Sequence, residues 1–339
     1  MSDMIPNETR PRKNDEAEAP FLENTPTCGP NENTMRNYET TPHQHRIEMT
    51  YRAMYESQTC DYVRAMKSRP LDRLHSLWEV VRLLDTIYDD SDPDTERAQS
   101  VHAYQTANAL RQRFLCEAED GTVTLRKVAI RSLFSDEEWH ALPAKRRTQY
   151  TTTLDVLYAS VNDVEALALV GFLHDVGKIL LHSQFGELPQ WSVVGDSFPV
   201  GAKLAAGAVF AQKNYQCNNA SLQRDRYVAG CGFDTMDFSW GHDEYMATVL
   251  ERNGARLPDE MIYLIRYHSF YPWHTPAAGQ ERGYTRFASE HDWAMLPLLK
   301  VLQSADLYSK ASTDVDPSSV TYYERLLNRY LPSHANMMW

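Results

Sequence analysis

An imidazole and a carboxylate stand side by side where a long apolar run ends. His174 and Asp175 follow the apolar residues 166–173, and Lys178 comes about one helical turn later. Adjacent residues of a helix point about 100° apart, so each could hold one metal ion, or the carboxylate could bridge two ions. A buried histidine oriented by a neighbouring carboxylate explains the dipeptide equally well. The motif by itself therefore leaves both interpretations open.

A wider set of side chains favours a metal site. Each lies on a segment with apolar flanks, and Asp306 would be costly to bury without a partner or a metal ion. The six candidate ligands are His102, His174, Asp175, His242, His268 and Asp306. The set contains no cysteine, and such nitrogen and oxygen donors suit iron, zinc or manganese without selecting among them. With a bridging Asp175, the first two histidines and Asp306 would bind one ion, and the last two histidines the other.

Helices are predicted to position these ligands. Apolar residues recur at steps of three and four before His174 and predict one helix there; they are Leu154, Leu157, Val161, Val164, Leu167 and Val170. No segment alternates convincingly with period two, so the fold is predicted to be all-α. Further helices are expected over 50–66, from Pro70 to Leu84, after an N-cap at Asp92, from 238 onwards, up to Pro272, and over 299–310.

Composition limits the class of protein. The 339 residues are 42% hydrophobic, enough for a substantial core, and the formal net charge of −12 argues against nucleic acid or an anionic membrane as the main partner. The apolar runs are far shorter than the ~20 residues of a membrane span. The five cysteines form no C-x-x-C pair, which fits a reduced intracellular protein. A soluble, cytoplasmic chain is expected.

Several segments are predicted to lie outside the helical core. Residues 1–35 are polar and rich in proline, so we expect them to be disordered. Residues 116–153 are charged and turn-rich and are predicted to be an insertion, with Lys145-Arg146-Arg147 as a solvated helix face. Residues 186–201 are predicted to be a loop that brings backbone close to a ligand. Residues 212–235 are irregular and polar.

The first and last candidate ligands and the His-Asp pair match the HD-domain superfamily, and longer motifs extend this match. Over residues 35–339 the chain resembles the myo-inositol oxygenase family. The resemblance rests on Met35-Arg36-Asn37-Tyr38, Ser91-Asp92-Pro93-Asp94, His102-Ala103-Tyr104-Gln105-Thr106-Ala107, His174-Asp175-Val176-Gly177-Lys178, Val194-Gly195-Asp196-Ser197-Phe198-Pro199-Val200-Gly201, Ser239-Trp240-Gly241-His242-Asp243-Glu244-Tyr245, His268-Ser269-Phe270-Tyr271-Pro272-Trp273-His274 and Asp306-Leu307-Tyr308-Ser309-Lys310.

The resemblance implies a single HD-domain-like helical bundle over residues 36–339, built around a dinuclear metal site. It also implies the activity: a mixed-valent Fe(II)/Fe(III) pair would convert myo-inositol and O2 to D-glucuronate by four-electron ring cleavage. The cyclitol would then be the partner of the protein, which is expected to be a monomer that binds neither nucleic acid nor membrane.

The resemblance also assigns residues. The six candidate ligands would bind the two irons, with Asp175 bridging, and Lys178 would hydrogen-bond a substrate hydroxyl and stabilise or accept its proton. A lysine favoured by the helix dipole is the alternative explanation for Lys178. The substrate contacts would be Arg36, Asp89, Asp90, Ser91, Lys178, Gly195, Asp196, His268, Ser269 and Lys310. Their carboxylates and hydroxyls suit a neutral ring of hydroxyl groups.

Three features depart from the family pattern. The separation of 72 positions between His102 and His174 is longer than expected, because the insertion lies between them. Asp90 stands where a glutamate is expected, and its shorter side chain could reach the substrate through a water. Residues 201–237 match weakly.

Two other functions compete with this interpretation. An HD-type phosphohydrolase would use a metal-bound hydroxide on a phosphate ester, but such a site favours basic residues, whereas these loops are acidic. A metal-stabilised scaffold without activity is the other alternative. Oxygen uptake that depends on inositol, measured against phosphate release, separates these possibilities.

Overall fold

A computed structural model describes residues 44–91, 98–213, 225–276, 279–308 and 317–339. The predicted disorder of residues 1–35, the contacts of Arg36 and Lys310, and the N-cap at Asp92 all lie outside these ranges. The metal-ligand candidates lie inside them.

The described residues are mainly helical, which confirms the predicted all-α class. The helices are α1 Gln44–Ser57, α2 Cys60–Lys67, α3 Leu77–Leu84, α4 Gln99–Phe114, α5 Asp136–Ala141, α6 Ala144–Gln149, α7 Leu154–Leu157, α8 Ala166–Leu173, α9 His242–Arg252, α10 Asp259–Tyr267, α11 Tyr271–His274, α12 Glu290–Tyr308 and α13 Pro317–Tyr330. Short 3-10 helices follow some of them, including Ile130–Leu133, Val176–Leu181, Ser183–Phe185, Gln190–Ser192, Ala211–Lys213 and Phe233–Thr235.

Two small antiparallel ribbons complete the described architecture. Strand β1 Leu74–His75 pairs with β4 Met337–Met338, and β2 Leu115–Glu117 pairs with β3 Val123–Leu125. The first ribbon brings the last residue of the chain, Trp339, into the core, where it is 2% exposed. The second begins the segment that was predicted to be an insertion.

Helix α8 is the centre of the core, because apolar residues surround it on all sides. All of its residues, Ala166–Leu173, are buried, as expected for a helix without a polar face. Helices α4, α10, α12 and α13 pack around it. At Gly171 a Cβ atom would come within 2.9 Å of the backbone of Ala107 in α4, so glycine permits this close helix crossing. The crossing brings His102 of α4 beside His174.

Two of the predicted helices are interrupted in the structure. The helix predicted over residues 154–170 is interrupted between α7 and α8, where Asp163 adopts a left-handed conformation with φ 57° and forms an ion pair with Arg329. The helix predicted over 50–66 is two helices, since the side chain of Thr59 accepts a hydrogen bond from the Tyr62 amide and starts α2. Apolar spacing continues across both breaks, so periodicity could not locate them.

Two helix limits predicted at prolines, a start at Pro70 and an end at Pro272, were also misplaced. The helix predicted from Pro70 begins only at Leu77, after Ser76, which forms a capping box with Glu79. Pro272 does not end α10, because α10 already stops at Tyr267. Pro272 lies in the first turn of α11, where a backbone N–H would have no acceptor within the helix, so the proline costs no hydrogen bond there. The segment 186–201, predicted to be a loop, contains one short 3-10 helix, Gln190–Ser192, and one isolated β-bridge, between Pro199 and Phe238. The start of α9, capped at Gly241, also agrees with the prediction.

The solvated basic face predicted at 145–147 is wrong for its central residue. Arg146 is only 6% exposed, and its guanidinium lies 5.1 Å from the ring centroid of Trp293. It also binds both carboxylate oxygens of Glu290, at 2.6 and 2.8 Å. These hydrogen bonds, with one from Lys145, lower the pKa of Glu290 to about 2. The patch therefore attaches this segment to α12.

None of the described helices combines the length and apolar character needed to cross a membrane.

Candidate metal centre

Four elements that converge near the end of α8 position the candidate ligands. His174 follows α8 directly, and Asp175 precedes the 3-10 helix Val176–Leu181. His242 is the first residue of α9, and His268 follows the last residue of α10. The remaining two candidates, His102 and Asp306, lie on α4 and α12, which pack against each other.

The carboxylate of Asp175 faces two separate groups of side chains. Its Oδ2 atom lies 3.5 Å from Nε2 of His102 and 3.5 Å from Nε2 of His174. Oδ1 of Asp306 completes this first group, 2.9 Å from Nε2 of His102 and 3.5 Å from that of His174. These distances leave three residues and one oxygen of Asp175 around a common point.

The other oxygen of Asp175 faces the second group. Its Oδ1 atom lies 3.2 Å from Nε2 of His242 and 3.5 Å from Nε2 of His268. The two histidine Nε2 atoms are 3.1 Å apart. The six side chains are almost buried, with between 1% and 14% of each exposed.

Backbone carbonyls orient three of the four imidazoles. Nδ1 of His174 lies 2.9 Å from the carbonyl of Gly171, Nδ1 of His242 lies 2.7 Å from that of Val193, and Nδ1 of His268 lies 2.8 Å from that of Ile265. A carbonyl only accepts hydrogen bonds, so each Nδ1 bears the proton and each Nε2 turns a lone pair inward.

This arrangement of lone pairs fits bound cations. Nε2 of His174 is buried and has no hydrogen-bond partner. The facing lone pairs of His242 and His268 would repel each other unless a cation or a shared proton lay near them. Buried lone pairs without partners cost free energy, and a metal ion would satisfy them. Nitrogen and oxygen donors of this kind could hold iron, although they do not exclude zinc or manganese.

The electrostatics keep both aspartates ionised. Burial by itself raises the pKa of Asp175, but the Lys178 ammonium and the neighbouring imidazoles outweigh it and hold the pKa well below its usual range. Burial likewise raises the pKa of Asp306, and the neighbouring imidazoles of His102 and His174 outweigh this effect and lower the pKa. Two ionised carboxylates beside four imidazoles form an anionic site for metal cations.

Lys178 lies between this centre and the acidic loop. Its Nζ atom is 2.9 Å from Oδ2 of Asp175 and 2.8 Å from Oδ2 of Asp89. The other oxygen of Asp89, Oδ1, accepts hydrogen bonds from the amide and the hydroxyl of Ser91. Burial raises the pKa of Asp89, but Lys178 and Ser91 outweigh this effect and lower it. The loop therefore reaches the metal-ligand candidates through one lysine.

Asp90, the neighbour of Asp89, contacts the first helix. Its Oδ1 atom lies 2.9 Å from Nε of Arg46 in α1, and its amide donates to the side chain of Gln190. Gln190 in turn donates to the carbonyl of Tyr88. These contacts hold the loop from both sides.

The remaining described substrate candidates are buried side chains or tight turns. Oδ1 of Asp196 accepts a hydrogen bond from the hydroxyl of Tyr51, at 2.8 Å. Gly195 has φ 98°, a conformation that favours glycine. The hydroxyl of Ser269 donates to Oδ2 of Asp243 at 3.0 Å, and the Ser269 carbonyl accepts from the amide of Ser197.

Sequence reasoning assigned no role to three residues that support these candidates. Asp243 orients Ser269 and also accepts from the first-turn amide of Glu244, Tyr51 orients Asp196, and Gln190 holds the acidic loop. An aspartate in the first turn of a helix usually caps that helix, which explains why Asp243 received no functional interpretation. No local signal could have paired Tyr51 with a residue 145 positions away.

Comparison with known proteins agrees with this geometry. A sequence model of the family described as "Myo-inositol oxygenase" matches residues 44–120 and 145–339. The protein "Inositol oxygenase" of Homo sapiens is 35% identical over 310 residues, which are 88% of this chain and 89% of the relative. "Probable inositol oxygenase" of Oryza sativa subsp. japonica is 35% identical over 317 residues, 91% and 85% of the two chains. The unmatched residues 121–144 lie within the segment predicted to be an insertion. The chain belongs to the myo-inositol oxygenase family.

Proposed function

We propose that this protein is an inositol oxygenase that converts myo-inositol and O2 to D-glucuronate and water at a dinuclear iron centre. The observation that supports it most is the carboxylate of Asp175, whose two oxygens face two separate groups of imidazole nitrogens. This arrangement supports a centre of two metal ions, one beside each carboxylate oxygen. Membership of the family supplies the substrate, and the donor set is one that suits iron.

The two groups would hold their ions unequally. The first group, His102, His174 and Asp306, offers three donors besides Asp175, and the second, His242 and His268, offers two. The second ion would therefore keep more positions for substrate oxygens. When bound, the iron pair would pass electrons from the substrate to O2 and act as a Lewis acid on substrate hydroxyls.

Lys178 is proposed to hydrogen-bond the reacting hydroxyl and to stabilise its ionised form. It carries three N–H donors, and Asp89 and Asp175 accept two of them, so its ammonium is fixed at the edge of the centre. A substrate hydroxyl there would meet a cation that stabilises its ionised form. Asp89 is a positioning residue for this lysine, since it holds the ammonium without contacting the ligand candidates.

Polar groups around the centre would recognise the hydroxyls of the ring. Asp196 and Ser269 are buried and oriented by Tyr51 and Asp243, so they present fixed donors and acceptors. Further contacts with the substrate are proposed for Asp90, Ser91, Gly195 and the side chain of His268. Arg36 and Lys310, which lie outside the described residues, are also proposed contacts. A rigid set of acceptors and donors distinguishes a cyclitol from less hydroxylated rings.

Oxygen consumption by iron-loaded protein tests the proposal. We expect uptake of O2 with myo-inositol, formation of one uronate per O2, and no uptake with cyclohexanol. The Asp175→Asn variant serves as the matched control and should consume none. Stoichiometric zinc in the purified protein with no oxygen uptake after iron reconstitution, or phosphate release from a phosphate ester, would contradict the proposal.

We further propose that the protein acts as a monomer in the cytoplasm, which size-exclusion chromatography and cell fractionation can check.

A further inference from the structure

Helix α12, which ends near Asp306, contains a proline in its interior. Pro297 has no N–H group, so the carbonyl of Trp293, four residues earlier, lacks its usual donor within the helix. The hydroxyl of Tyr150 donates to this carbonyl. The hydroxyl of Tyr158 donates to the next carbonyl, that of Ala294, at 2.6 Å. Tyr150 thus supplies a donor in place of the one that the proline removes, and Tyr158 adds a hydrogen bond to the neighbouring carbonyl.

The same segment also holds α12 beyond the proline. Nζ of Lys300 lies 2.9 and 3.1 Å from the two carboxylate oxygens of Glu138 in α5, and both side chains are largely buried. The ring of Phe134 stacks on Tyr150, with centroids 5.9 Å apart, and lies 5.7 Å from Nζ of Lys300. Residues 130–158, here called the brace, therefore contact α12 on both sides of Pro297.

We propose that the brace positions Asp306 in the metal centre by fixing the bend of α12 at Pro297. Asp306 lies nine residues after the proline, about 13 Å along the helix axis at 1.5 Å per residue. A change of 10° in the bend would move its Cα atom by about 2 Å over that length. Such a shift is comparable to the 2.9 Å between Asp306 and Nε2 of His102. Only the assignment of Asp306 to a metal ion rests on the proposed function.

The second group of ligand candidates provides an internal reference. His242 is the first residue of α9 and His268 follows the last residue of α10, so neither lies on α12. A general loss of stability would weaken both groups alike, whereas a change in the bend of α12 would weaken the group of Asp306 alone. This difference separates a positioning role from a merely structural one.

Hydrogen exchange of the metal-free protein tests the mechanical part. The variants Tyr150→Phe and Tyr158→Phe, singly and together, remove the hydroxyls and keep the rings. We expect amides 301–306 to exchange faster in each variant, and fastest in the double variant. Tyr55→Phe is the matched control, because its hydroxyl also donates to a backbone carbonyl, that of Val209, away from α12. Unchanged exchange of 301–306 in the double variant would overturn the proposal.

Anaerobic titration with Co(II), followed by visible absorption, tests the consequence for the centre. The isotherm that disappears in Asp306→Asn identifies the first group. We expect the double tyrosine variant to bind Co(II) there more weakly by about tenfold or more, with the other isotherm unchanged, because loss of the contacts that support metal ligands typically weakens metal binding to that extent. Equal weakening of both isotherms, or none, would contradict the proposal. If the double variant fails to fold, Glu138→Gln provides the same comparison.

The two tests distinguish their causes of failure. Wild-type protein that binds no Co(II) at either group would contradict the proposed metal centre, but hydrogen exchange would still measure the brace. Normal binding with unchanged exchange would contradict the brace alone.

Discussion

Gly177 lies directly against the backbone carbonyl of His242. A Cβ atom at this glycine would be only 2.0 Å from the carbonyl oxygen, so no larger residue fits without moving the start of α9. The 3-10 helix after Asp175 and the N-terminus of α9 can therefore approach closely enough for Asp175 and His242 to meet. Their side chains are 3.2 Å apart for this reason.

Replacing this glycine should damage the second group first. We expect the free energy of unfolding of Gly177→Ala to be about 1–3 kcal/mol lower than that of the wild type, as for other overpacked cores. We also expect the variant to lose the metal ion proposed to bind His242 and His268. Denaturant titration and metal analysis measure both effects. Gly254→Asn, at the other end of α9 and with open space around it, should change neither. Normal metal content in Gly177→Ala would show that α9 can shift without cost to the site.

Removal of the lysine cation should affect the reaction more than metal binding. Lys178→Met leaves Asp175 free to bind metal but takes away the donor for the substrate hydroxyl. We expect full iron content and oxygen uptake reduced about 100-fold or more, a typical loss for a proton-transfer group. Lys213→Met, which disrupts an ion pair with Glu48 of α1, is the control and should keep full activity. Iron loss in Lys178→Met would instead assign the lysine a structural role.

The two aspartates of the centre should differ in the number of ions that they control. Asp306→Asn removes one donor of the first group alone, so the protein should retain about one iron. Asp175→Asn replaces one oxygen of the proposed bridge by an amide nitrogen, which binds iron poorly, and removes the negative charge. The protein should therefore bind both ions more weakly. Metal analysis after dialysis gives the counts. Equal iron content in the two variants would contradict a bridging Asp175.

The pair of Asp89 and Lys178 should make folding stability depend on pH in the acid range. The folded-state pKa of Asp89 lies below its ordinary value of 3.8, so the pair stabilises the fold above that value. This stabilisation is lost as the pH falls through the lower, folded-state pKa. We expect the free energy of unfolding of Asp89→Asn at pH 7 to be about 3 kcal/mol lower than that of the wild type, since the substitution leaves the buried Lys178 with one partner fewer.

The stability difference between Asp89→Asn and wild type should shrink below about pH 4. Urea titrations of the metal-free proteins at several pH values measure it. Asp90→Asn is the matched control, because its partner Arg46 is 43% exposed and such pairs contribute less than about 1 kcal/mol. A difference for Asp89→Asn that stays constant from pH 7 to pH 3 would contradict the ionised pair.

Local sequence patterns were sufficient for the class of fold and for the residue types of the site. The apolar run of α8 is so continuous that only a buried helix explains it, and a histidine and an aspartate at its end are costly to bury without partners. The absence of period-two alternation correctly indicated a helical protein. The breaks before α2 and α8 escaped prediction, because a capping hydrogen bond and a left-handed residue interrupt the helix without interrupting its apolar spacing.

Tertiary structure decided how these residues meet. The two oxygens of Asp175 face different groups of histidines because Gly171 and Gly177 let α4 and α9 approach the end of α8, and no spacing along the chain encodes that approach. The same holds for Tyr150 and Tyr158, which look like core aromatics in the sequence and become hydrogen-bond donors to α12 only in the fold. The residue types of the site can be read directly from the sequence, whereas the distances between side chains far apart in the chain depend on how the helices pack.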